Sequence, residues 1–542
     1  MSERRPVYLD YAATTPTDER VAALMNQYLC ADGEYGNPAS THAYGRAARA
    51  AVEAARAQVA LLVRARASDM VFTSGATEAN NLAILGLVRG VRRAGERARR
   101  QGGAVGAAHV ITSLIEHKAV LDPCRQLERE GCALTFLSPG ARGHIEPGQL
   151  AAALRPETVL VSLMHANNET GAITDIAACG ELCRAHGAAL HVDAAQSAGK
   201  LPIDVEAMQI DLLSFTAHKL YGPKGVGALY VRHSVRALLQ PLVFGGGHER
   251  GLRSGTLPVH QIVGFGRACE LIGAECAAEA QRQAALRERL WQGMADLPGV
   301  ACNSPATHCL PGILNVSFGG IEGESLLFGL TQLALASGSA CNSDSDEPSY
   351  VLRALGRDRE AAQSSLRFSL GHGTSGADIE LAVTAVRREV LRLHRVAGNV
   401  ALPPEAGGLA VAGGAEAAGA DAALHGVEGW TVGEAGVREQ GTWLRLELGV
   451  RAGIIHSAKW QVYGCPHTQR VCEWLREQLP GRALADPALG GPHDWVRALK
   501  VPEERLTRLL LIEDALRAAC TAPLRPQGQE AYNTGRKPEH EH

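Results

Sequence analysis

Short apolar runs alternate with stretches of helical periodicity rich in Ala, Leu and Arg over roughly the first 395 residues. Four of these runs are predicted to be strands: AHVITS (108–113), TVLVSLMH (158–165), AALHVDAA (188–195) and GVGALYV (225–231). Apolar strands that alternate with helices are typical of a parallel sheet covered by helices on both faces. Such sheets bind ligands at the carboxyl ends of their strands. The pattern therefore predicts an α/β domain with a site at that edge.

This pattern stops at residues 403–428, where the chain is almost entirely Ala, Gly and Glu and shows no apolar period. Such a composition predicts a flexible linker. The last residues, 525–542, are polar and rich in charge, which predicts a disordered tail. A second domain is therefore expected between them, over residues 429–524.

Apolar and charged residues alternate in TWLRLELGV (442–450), and AKWQVYG (458–464) has a similar pattern, as expected of half-exposed strands. The segments 467–479 and 502–520 have the apolar spacing of amphipathic helices. The second domain is therefore predicted to be a small α+β domain.

Composition narrows the class of protein. The chain has 542 residues and a formal net charge of −3, which is not the signature of a nucleic-acid or membrane-surface protein. Its start lacks the apolar stretch of a signal peptide, and no run approaches the roughly 20 apolar residues of a membrane span. The basic segment 89–101 is interpreted as a solvated helix face.

The cysteine count indicates a compartment. There are 13 cysteines, an odd number without paired spacing, which predicts reduced thiols and a cytoplasmic location. Those within Ala-rich helical patterns are interpreted as packing residues: Cys179, Cys183, Cys269 and Cys276.

Five segments between residues 73 and 225 place polar side chains at strand ends or helix starts. They are TSGATEANN (73–81), IEHKAV (115–120), HANNETG (165–171), HVDAAQS (191–197) and SFTAHKLYGPKG (214–225). Pyridoxal phosphate needs a lysine to bond with, a carboxylate for its ring nitrogen and a turn that cradles its phosphate. A single lysine or Gly/Thr turn of this kind is more often a surface feature, but the five segments together predict a pyridoxal-phosphate site.

The chain resembles cysteine desulfurases of the NifS/IscS class, which are fold-type I pyridoxal-phosphate-dependent transferases. The resemblance also rests on further segments: YLDYAATTP (8–16), YGNPAS (35–40), HERGLRSGTLPVHQ (248–261), GSACNSDSDEPSYVLRALG (338–356) and SSLRFSLG (364–371). It implies a desulfurase over residues 1–402, with a large parallel or mixed sheet domain and a small α/β domain. The large domain is expected over about 16–262, and the small domain from 1–15 and 263–402.

The resemblance implies roles for individual residues. Lys219 carries the cofactor covalently, Asp193 keeps the ring nitrogen protonated, and His117 stacks on the ring and moves protons. Gln196 bonds the phenolic oxygen, and Asn168 and Arg367 hold the substrate carboxylate. The implied phosphate-end residues are Ala76, Thr77, Thr216, His218 and Thr256. Thr256 is expected to act in the neighbouring subunit's site, so the resemblance implies a homodimer.

Cys341 stands in a polar run, SGSACNSDSDEP (337–348), although free cysteines are usually buried. By the resemblance, this thiol is the nucleophile that takes sulfur from L-cysteine as a persulfide and leaves L-alanine. A Gly/Ser-rich loop would let it reach both the cofactor site and an acceptor. The implied partners are sulfur acceptor or scaffold proteins, for iron–sulfur cluster assembly or other sulfur acceptors.

The second domain resembles a divergent IscU/NifU-type iron–sulfur scaffold in QVYGCPHTQRVCEWL (461–475) and LLLIEDALRAA (509–519). Such scaffolds hold a [2Fe–2S] cluster mainly with cysteines, but here only Cys465 stands at a matching position, and Thr507 and Arg508 replace the later His-Cys pair. Cys472 and Cys520 are interpreted as core residues on helical apolar faces.

Three roles are left open for this domain. Cys465 accepts sulfur from Cys341, or the domain only docks partners or stabilises the dimer, or it shares a transient [2Fe–2S] cluster with other ligands such as His467 or Cys341. Fold resemblance alone does not choose among them.

Two alternatives to a cysteine desulfurase stay open. One is a selenocysteine lyase or cysteine-sulfinate desulfinase on the same scaffold. The other is a mainly non-catalytic platform for iron–sulfur assembly, against which the presence of Lys219, Asp193, His117 and Cys341 speaks.

Overall fold

The structure is a computed structural model of the chain. It describes residues 5–100, 108–140, 142–337, 347–396, 428–437, 442–463, 466–487, 489–501 and 506–526. The chain divides into two compact units, residues 1–401 and 402–542. Nearly all of the predicted linker and tail lies outside the described residues, as do Cys341 and Cys465.

The strands are numbered in chain order. In the first unit they are β1 Val7–Tyr8, β2 Met70–Thr73, β3 His109–Ser113, β4 Ala133–Leu137, β5 Thr158–Met164, β6 Ala189–Asp193, β7 Leu212–Thr216, β8 Gly227–Val231, β9 Val300–Cys302, β10 Ile313–Phe318, β11 Leu333–Ala334, β12 Ala336–Ser337 and β13 Ser365–Ser369. In the second unit they are β14 Glu428–Val437, β15 Thr442–Arg451, β16 Ile454–Tyr463 and β17 Arg525–Pro526.

The helices are numbered in the same way. In the first unit they are α1 Glu19–Asn26, α2 Ala43–Leu62, α3 Ala76–Asn81, α4 Leu87–Arg100, α5 Lys118–Arg129, α6 Pro147–Ala153, α7 Ile176–His186, α8 His233–Arg236, α9 Val259–Gln292, α10 Gly323–Gly329, α11 Tyr350–Ala354, α12 Arg359–Gln363 and α13 Gly376–Val396. A π-helical turn, Leu82–Gly86, joins α3 to α4. In the second unit they are α14 Pro466–Gln478, α15 Pro492–Leu499 and α16 Leu506–Thr521.

A seven-stranded sheet with the order β2-β8-β7-β6-β5-β3-β4 forms the centre of the first unit. All four strands predicted from the apolar runs belong to it, which confirms the α/β prediction. The sheet is mixed, because β8 is antiparallel to both of its neighbours. The connection from β7 to β8 is too short for a helical crossover, so the chain turns back beside β7.

Side chains of the central strands alternate between the two faces of this sheet. Phe72, Ile111 and Leu213 belong to a core with α2, α7 and α9, whereas their neighbours Val71 and Val110 belong to a core with the α3–α4 segment and α5. Both faces are therefore buried, which explains why these strands are continuously apolar rather than alternating with polar residues.

The carboxyl ends of β2, β3, β5, β6 and β7 lie at one edge of the sheet, because β2 and β7 each run antiparallel to β8 and therefore parallel to each other. The rest of the first unit includes an antiparallel sheet with the order β12-β13-β10-β9. Strand β1 pairs in parallel with β11.

The second unit is an antiparallel sheet with the order β16-β15-β14-β17. Helix α14 packs against β16, and α16 packs against β14 and β15. This confirms the predicted strands and amphipathic helices. Strands β14 and β17 were not predicted from the sequence. Three of the ten residues of β14 are glycines, and β17 pairs with β14 from residues that had been assigned to the tail.

Within the described residues, no helix is long and apolar enough to cross a membrane. Cys179, Cys183 and Cys269 are buried, as predicted for packing residues, whereas Cys276 is only partly buried. Burial raises the pKa of the Cys179 and Cys183 thiols to about 12, so both stay protonated. Cys472 is buried in the second unit and Cys520 is partly buried, which agrees with their interpretation as core residues.

Candidate active site

A cavity of about 580 Å³ opens where the carboxyl ends of the parallel strands meet. Nine of the predicted residues line it: Ala76, Thr77, His117, Asn168, Asp193, Gln196, Thr216, His218 and Lys219. Strand ends place them there, because each residue lies at or just after the last residue of β2, β3, β5, β6 or β7. The fold therefore brings together residues that are up to 143 positions apart in sequence (Ala76 to Lys219).

Lys219 lies on the short 3₁₀ turn that follows β7. Its amine donates a hydrogen bond to the Ala12 carbonyl oxygen at 3.0 Å. The same carbonyl accepts a hydrogen bond from Gln196 Nε2 at 2.9 Å. The Ala12 carbonyl oxygen thus holds both the amine of Lys219 and the amide of Gln196 at the wall of the cavity.

Asp193 ends β6 with its carboxylate buried at the cavity. Asn80 Nδ2 donates to its Oδ2 at 2.7 Å, and the Ala195 amide donates to its Oδ1 at 2.9 Å. The sequence analysis did not select Asn80, although it stands three residues after Thr77 in the same helix. Because both oxygens accept a hydrogen bond, the carboxylate keeps one orientation.

His117 caps the N-terminus of α5. Its Nδ1 accepts a hydrogen bond from the Ala119 amide at 3.1 Å, so in the neutral ring the proton is on Nε2. Burial is the main cause that lowers the pKa of His117; the Asp193 charge opposes it and the Lys219 charge adds to it. The neutral ring is therefore able to donate only from Nε2.

The opposite part of the cavity is a Gly/Thr turn. Gly75 directly precedes α3, and the backbone of β8 approaches it so closely that a Cβ at Gly227 would lie 2.7 Å from Gly75 atoms. Thr216 and His218 flank this turn, and Lys224, which sequence analysis missed, also lines the cavity. Burial is the main cause that lowers the pKa of His218 to about 4, and the positive charges of Lys219, Lys224 and Lys200 contribute to this shift.

Arg367 is on β13 beside the cavity and is not among the cavity's lining residues. Its guanidinium forms an ion pair with Asp10 at 2.7 Å and donates to the Asn168 carbonyl oxygen at 2.9 Å. Its buried Nε has no hydrogen-bond partner. The structure thus brings Arg367 next to Asn168, as the resemblance implies, but Asp10 is a partner that sequence analysis missed.

Three other predicted residues are not among those that line this cavity: Thr256, Cys341 and Cys465. Thr256 is exposed on the described chain. Cys341 and Cys465 lie outside the described residues, and no cluster of three or more His, Cys, Asp or Glu side chains suited to a metal is found in the described part of the chain.

The cavity fits pyridoxal phosphate on the chemistry of its donors. A volume of about 580 Å³ lies within the usual range of small-molecule sites. The fixed Asp193 carboxylate suits a protonated ring nitrogen, the Lys219 amine suits a bond to the aldehyde carbon, and the cationic Gly/Thr turn suits a phosphate.

Comparisons with known proteins agree with this arrangement. The sequence model of the family "Aminotransferase class-V" matches residues 7–381. A protein named "Cysteine desulfurase IscS" from Escherichia coli is 54% identical over 390 residues, covering 72% of this chain and 94% of that protein. The protein of the same name from Shigella boydii matches equally.

Solved structures resemble the chain in fold as well. A "NifS-like protein" superposes with a TM-score of 0.64 at 33% identity, covering 72% of this chain and all of that one. DndA from Streptomyces lividans gives a TM-score of 0.56 at 43% identity, over 67% of this chain and 99% of that one. The family match ends at residue 381, before the second unit.

Proposed function

The chain belongs to the aminotransferase class-V family, and we propose that its first unit is a pyridoxal-phosphate-dependent cysteine desulfurase with Cys341 as the sulfur-accepting nucleophile. The single observation that carries this proposal is the cavity in which Lys219, Asp193, His117 and the Gly/Thr turn converge. The 54% identity to proteins named cysteine desulfurase supports the choice of reaction.

The cofactor would be held by the residues that line the cavity. Lys219 would bond its aldehyde carbon, Asp193 would pair with its ring nitrogen, and Gln196 would bond its phenolic oxygen. The phosphate end is assigned to Ala76, Thr77, Thr216 and His218. When bound, pyridoxal phosphate supplies an electron sink that acidifies the α-carbon of an amino acid.

The protein's own side chains then position L-cysteine and move protons. Arg367 and Asn168 are assigned to the substrate carboxylate; because Arg367 is paired with Asp10, a substrate carboxylate would have to share or replace that partner. His117 is assigned to the reacting end of the cavity, where its neutral ring offers Nε2–H as a hydrogen-bond donor, since its Nδ1 accepts from the Ala119 amide.

Cys341 takes the sulfur. Its thiolate attacks the sulfur of L-cysteine, an S–S bond forms, and the bond between sulfur and the substrate β-carbon breaks. The electron pair of the broken carbon–sulfur bond stays with the β-carbon, which takes up a proton and becomes the methyl group of L-alanine. The two-electron oxidation of sulfur to the persulfide on Cys341 is thus balanced by reduction of that carbon, and no outside oxidant is needed. A thiolate is required as nucleophile.

The substrate choice is tested by comparing turnover. Purified protein should show a visible absorption band near about 390–420 nm, typical of the bound cofactor. It should release alanine from L-cysteine, with persulfide formation. Preferred turnover of selenocysteine or cysteine sulfinate would indicate a lyase or a desulfinase instead of a desulfurase. Absence of the absorption band would favour a non-catalytic platform.

We propose a homodimer in which Thr256 of the partner subunit completes the phosphate end. Thr256 is exposed and does not line the cavity of its own chain, which is expected of a residue that acts in a neighbouring site. Analytical ultracentrifugation of active enzyme tests this, because full activity in a monomeric fraction would contradict it. Sulfur acceptor or scaffold proteins are proposed partners, and a cytoplasmic location is proposed from the free thiols.

For the second unit, which we propose to be a divergent IscU/NifU-like domain, we favour a docking or dimer-stabilising role. Its described cysteines, Cys472 and Cys520, lie on core-forming helices, and burial raises the pKa of both thiols. A sulfur relay through Cys465 and a transient [2Fe–2S] cluster shared with His467 or Cys341 are the other two outcomes. Labelled sulfur on Cys465 after incubation with cysteine would select the relay, and cluster absorption after anaerobic reconstitution would select the shared cluster.

A further inference from the structure

A second cavity, of about 30 Å³, is lined by Ala12, whereas Gln196, whose amide donates to the Ala12 carbonyl oxygen, lines the large cavity. Lys200, four residues after Gln196, lines the second cavity. Its amine donates at 3.3 Å to Gln196 Oε1, a neutral amide oxygen rather than a carboxylate. Lys200 does not line the large cavity and has no role in the proposed reaction so far.

Lys200 and Lys219 are connected through two groups. Gln196 accepts from Lys200 at Oε1 and donates from Nε2 to the Ala12 carbonyl oxygen, at 3.3 Å and 2.9 Å. The Lys219 amine donates to the same Ala12 oxygen at 3.0 Å. One partly buried hydrogen-bond chain therefore runs from Lys200 to Lys219, the lysine that is proposed to bond the cofactor.

A carboxamide has a donating end and an accepting end that are almost identical in shape. A protonated amine can only donate, so it allows a single orientation of Gln196, with Oε1 toward Lys200. The donating end is then directed toward the Ala12 carbonyl and the large cavity. Without Lys200, the Ala12 carbonyl is the remaining partner that favours this orientation.

We propose that Lys200 is a positioning residue that fixes the carboxamide of Gln196 and, through the shared Ala12 carbonyl, the amine of Lys219. The inference rests on the proposed cofactor site, toward which Gln196 presents its amide. Lys200 itself touches neither that cavity nor the reacting atoms.

The surroundings of Lys200 make its charge sensitive to pH. Its pKa is lowered to about 7, mainly by burial and in part by the positive charges of Lys219 and Arg367. The small cavity also presents Tyr11, Tyr221, Cys276, Glu279 and His372 to it. Because a neutral amine can also accept a hydrogen bond, the constraint on Gln196 is strongest below about pH 7.

The test uses the full-length holoenzyme and the visible absorption of the bound cofactor followed against pH. Lys200→Met should shift the midpoint of this titration by about half a unit to one unit, the order expected when a neighbouring charge and hydrogen bond are lost. Lys200→Arg keeps a charged donor and should recover most of the shift. Lys200→Gln, which introduces a neutral donor, should shift the midpoint in the same direction as Lys200→Met. It takes the place of Lys200→Met in the experiment if the methionine variant does not fold.

A double-mutant cycle separates positioning from other effects. In a Gln196→Leu background, Lys200→Met should produce little further change in the midpoint, because the group through which Lys200 acts is gone. An unchanged midpoint in folded Lys200→Met, or an equal shift in both backgrounds, would overturn the proposal. A wild-type protein without a cofactor band would instead contradict the proposed function, so the two failures are distinguishable.

Discussion

The two units each pack helices against a β-sheet, but they bury different kinds of side chain. In the second unit, Leu444, Leu446, Leu448 and Val450 of β15 are fully buried on one face. In the first unit, the central strands bury apolar residues along their length and end in polar ones, such as Asp193 and Thr216. The apolar parts stabilise both folds, and the polar strand ends occur in the unit that has the large cavity.

The buried polar side chains of the first unit indicate which unit has a site for catalysis. Burying a polar group costs free energy unless it is hydrogen-bonded, and Asp193, Gln196 and Lys219 each have a hydrogen-bond partner at the cavity. Within the described part of the second unit, the buried helical positions of α16 are mainly Leu, Ile and Ala. The proposed resemblance of the second unit to a cluster scaffold therefore says little about its chemistry, because the chemistry depends on which side chains converge.

The largest expected effect is a loss of alanine release caused by a substitution in the first unit. Lys219→Ala should lower alanine release by about 10⁴-fold or more, because the covalent attachment of the cofactor is lost. Loss of the visible band and an assay with L-cysteine measure this. The matched control is Lys459→Ala, an exposed lysine on β16 of the second unit, which should change alanine release less than about twofold. Normal turnover by Lys219→Ala would rule out its assignment.

A smaller effect is expected at Asn80, which holds the Asp193 carboxylate. Asn80→Ala should lower turnover by about 10- to 100-fold, as a lost hydrogen bond to a charged group costs about 1.5–3 kcal/mol. The control is Asn81→Ala, whose side chain donates to the Thr77 carbonyl instead and should affect turnover little. Equal losses in the two variants would show that helix α3, rather than the Asp193 contact, causes the effect.

A pH-dependent effect on stability is expected at Glu116, a fully buried carboxyl in the first unit. Burial is the main cause that raises the pKa of Glu116 to about 8, although hydrogen bonds from Ser113 and the Met164 amide oppose it. Its protonated form is thus favoured in the folded state. The contribution of the Glu116 carboxyl to stability is fully present below the pKa that it has in the unfolded chain, about 4.5. This contribution is lost as the pH rises toward 8.

Glu116→Gln should remove that dependence, which is at most about 1.4 kcal/mol per pH unit for one proton. Thermal unfolding of the variant should show a flatter fall of Tm between about pH 5 and pH 8 than the unmodified protein. Glu128→Gln, at an exposed position on α5, is the control and should leave the curve unchanged. A parallel shift of the Glu116→Gln curve, without flattening, would contradict the assignment.

The smallest effect is expected from the second unit. Removal of residues 403–542 should change alanine release less than about twofold, because every proposed catalytic residue precedes residue 372 and few core contacts should cross a linker of this composition. Cys465→Ser should also leave alanine release unchanged. A large loss of alanine release in the truncated protein would show that the second unit takes part in catalysis.

The sequence predicted the site well where residue types mark strand ends. Lys219, Asp193 and Asn168 each follow an apolar run, and strands that run parallel bring their ends to one edge of the sheet. The apolar alternation of β15 likewise predicted its buried face. Local patterns suffice in these cases because periodicity and chain direction determine which residues meet.

Other features depend on contacts that no local pattern reveals. Asn80 is recognisable only once the turn of α3 directs it toward Asp193, and Asp10 pairs with Arg367 across 357 residues of sequence. Lys200 reads as an ordinary lysine until its amine is seen against Gln196. Strand β14 was missed because its glycines weaken the alternation, and its pairing with β15 supplies what its own sequence lacks.

The central claim, that the first unit takes sulfur from L-cysteine onto Cys341, is tested most directly by peptide mass spectrometry after a single turnover. The protein is incubated with L-cysteine, alkylated and digested, and the peptide containing Cys341 is compared with that of Cys341→Ser. We predict a gain of about 32 Da, one sulfur atom, on the Cys341 peptide of the unmodified protein, together with released alanine, and no such gain on any peptide of the variant. An undiminished persulfide in Cys341→Ser, carried by another cysteine, would contradict the account.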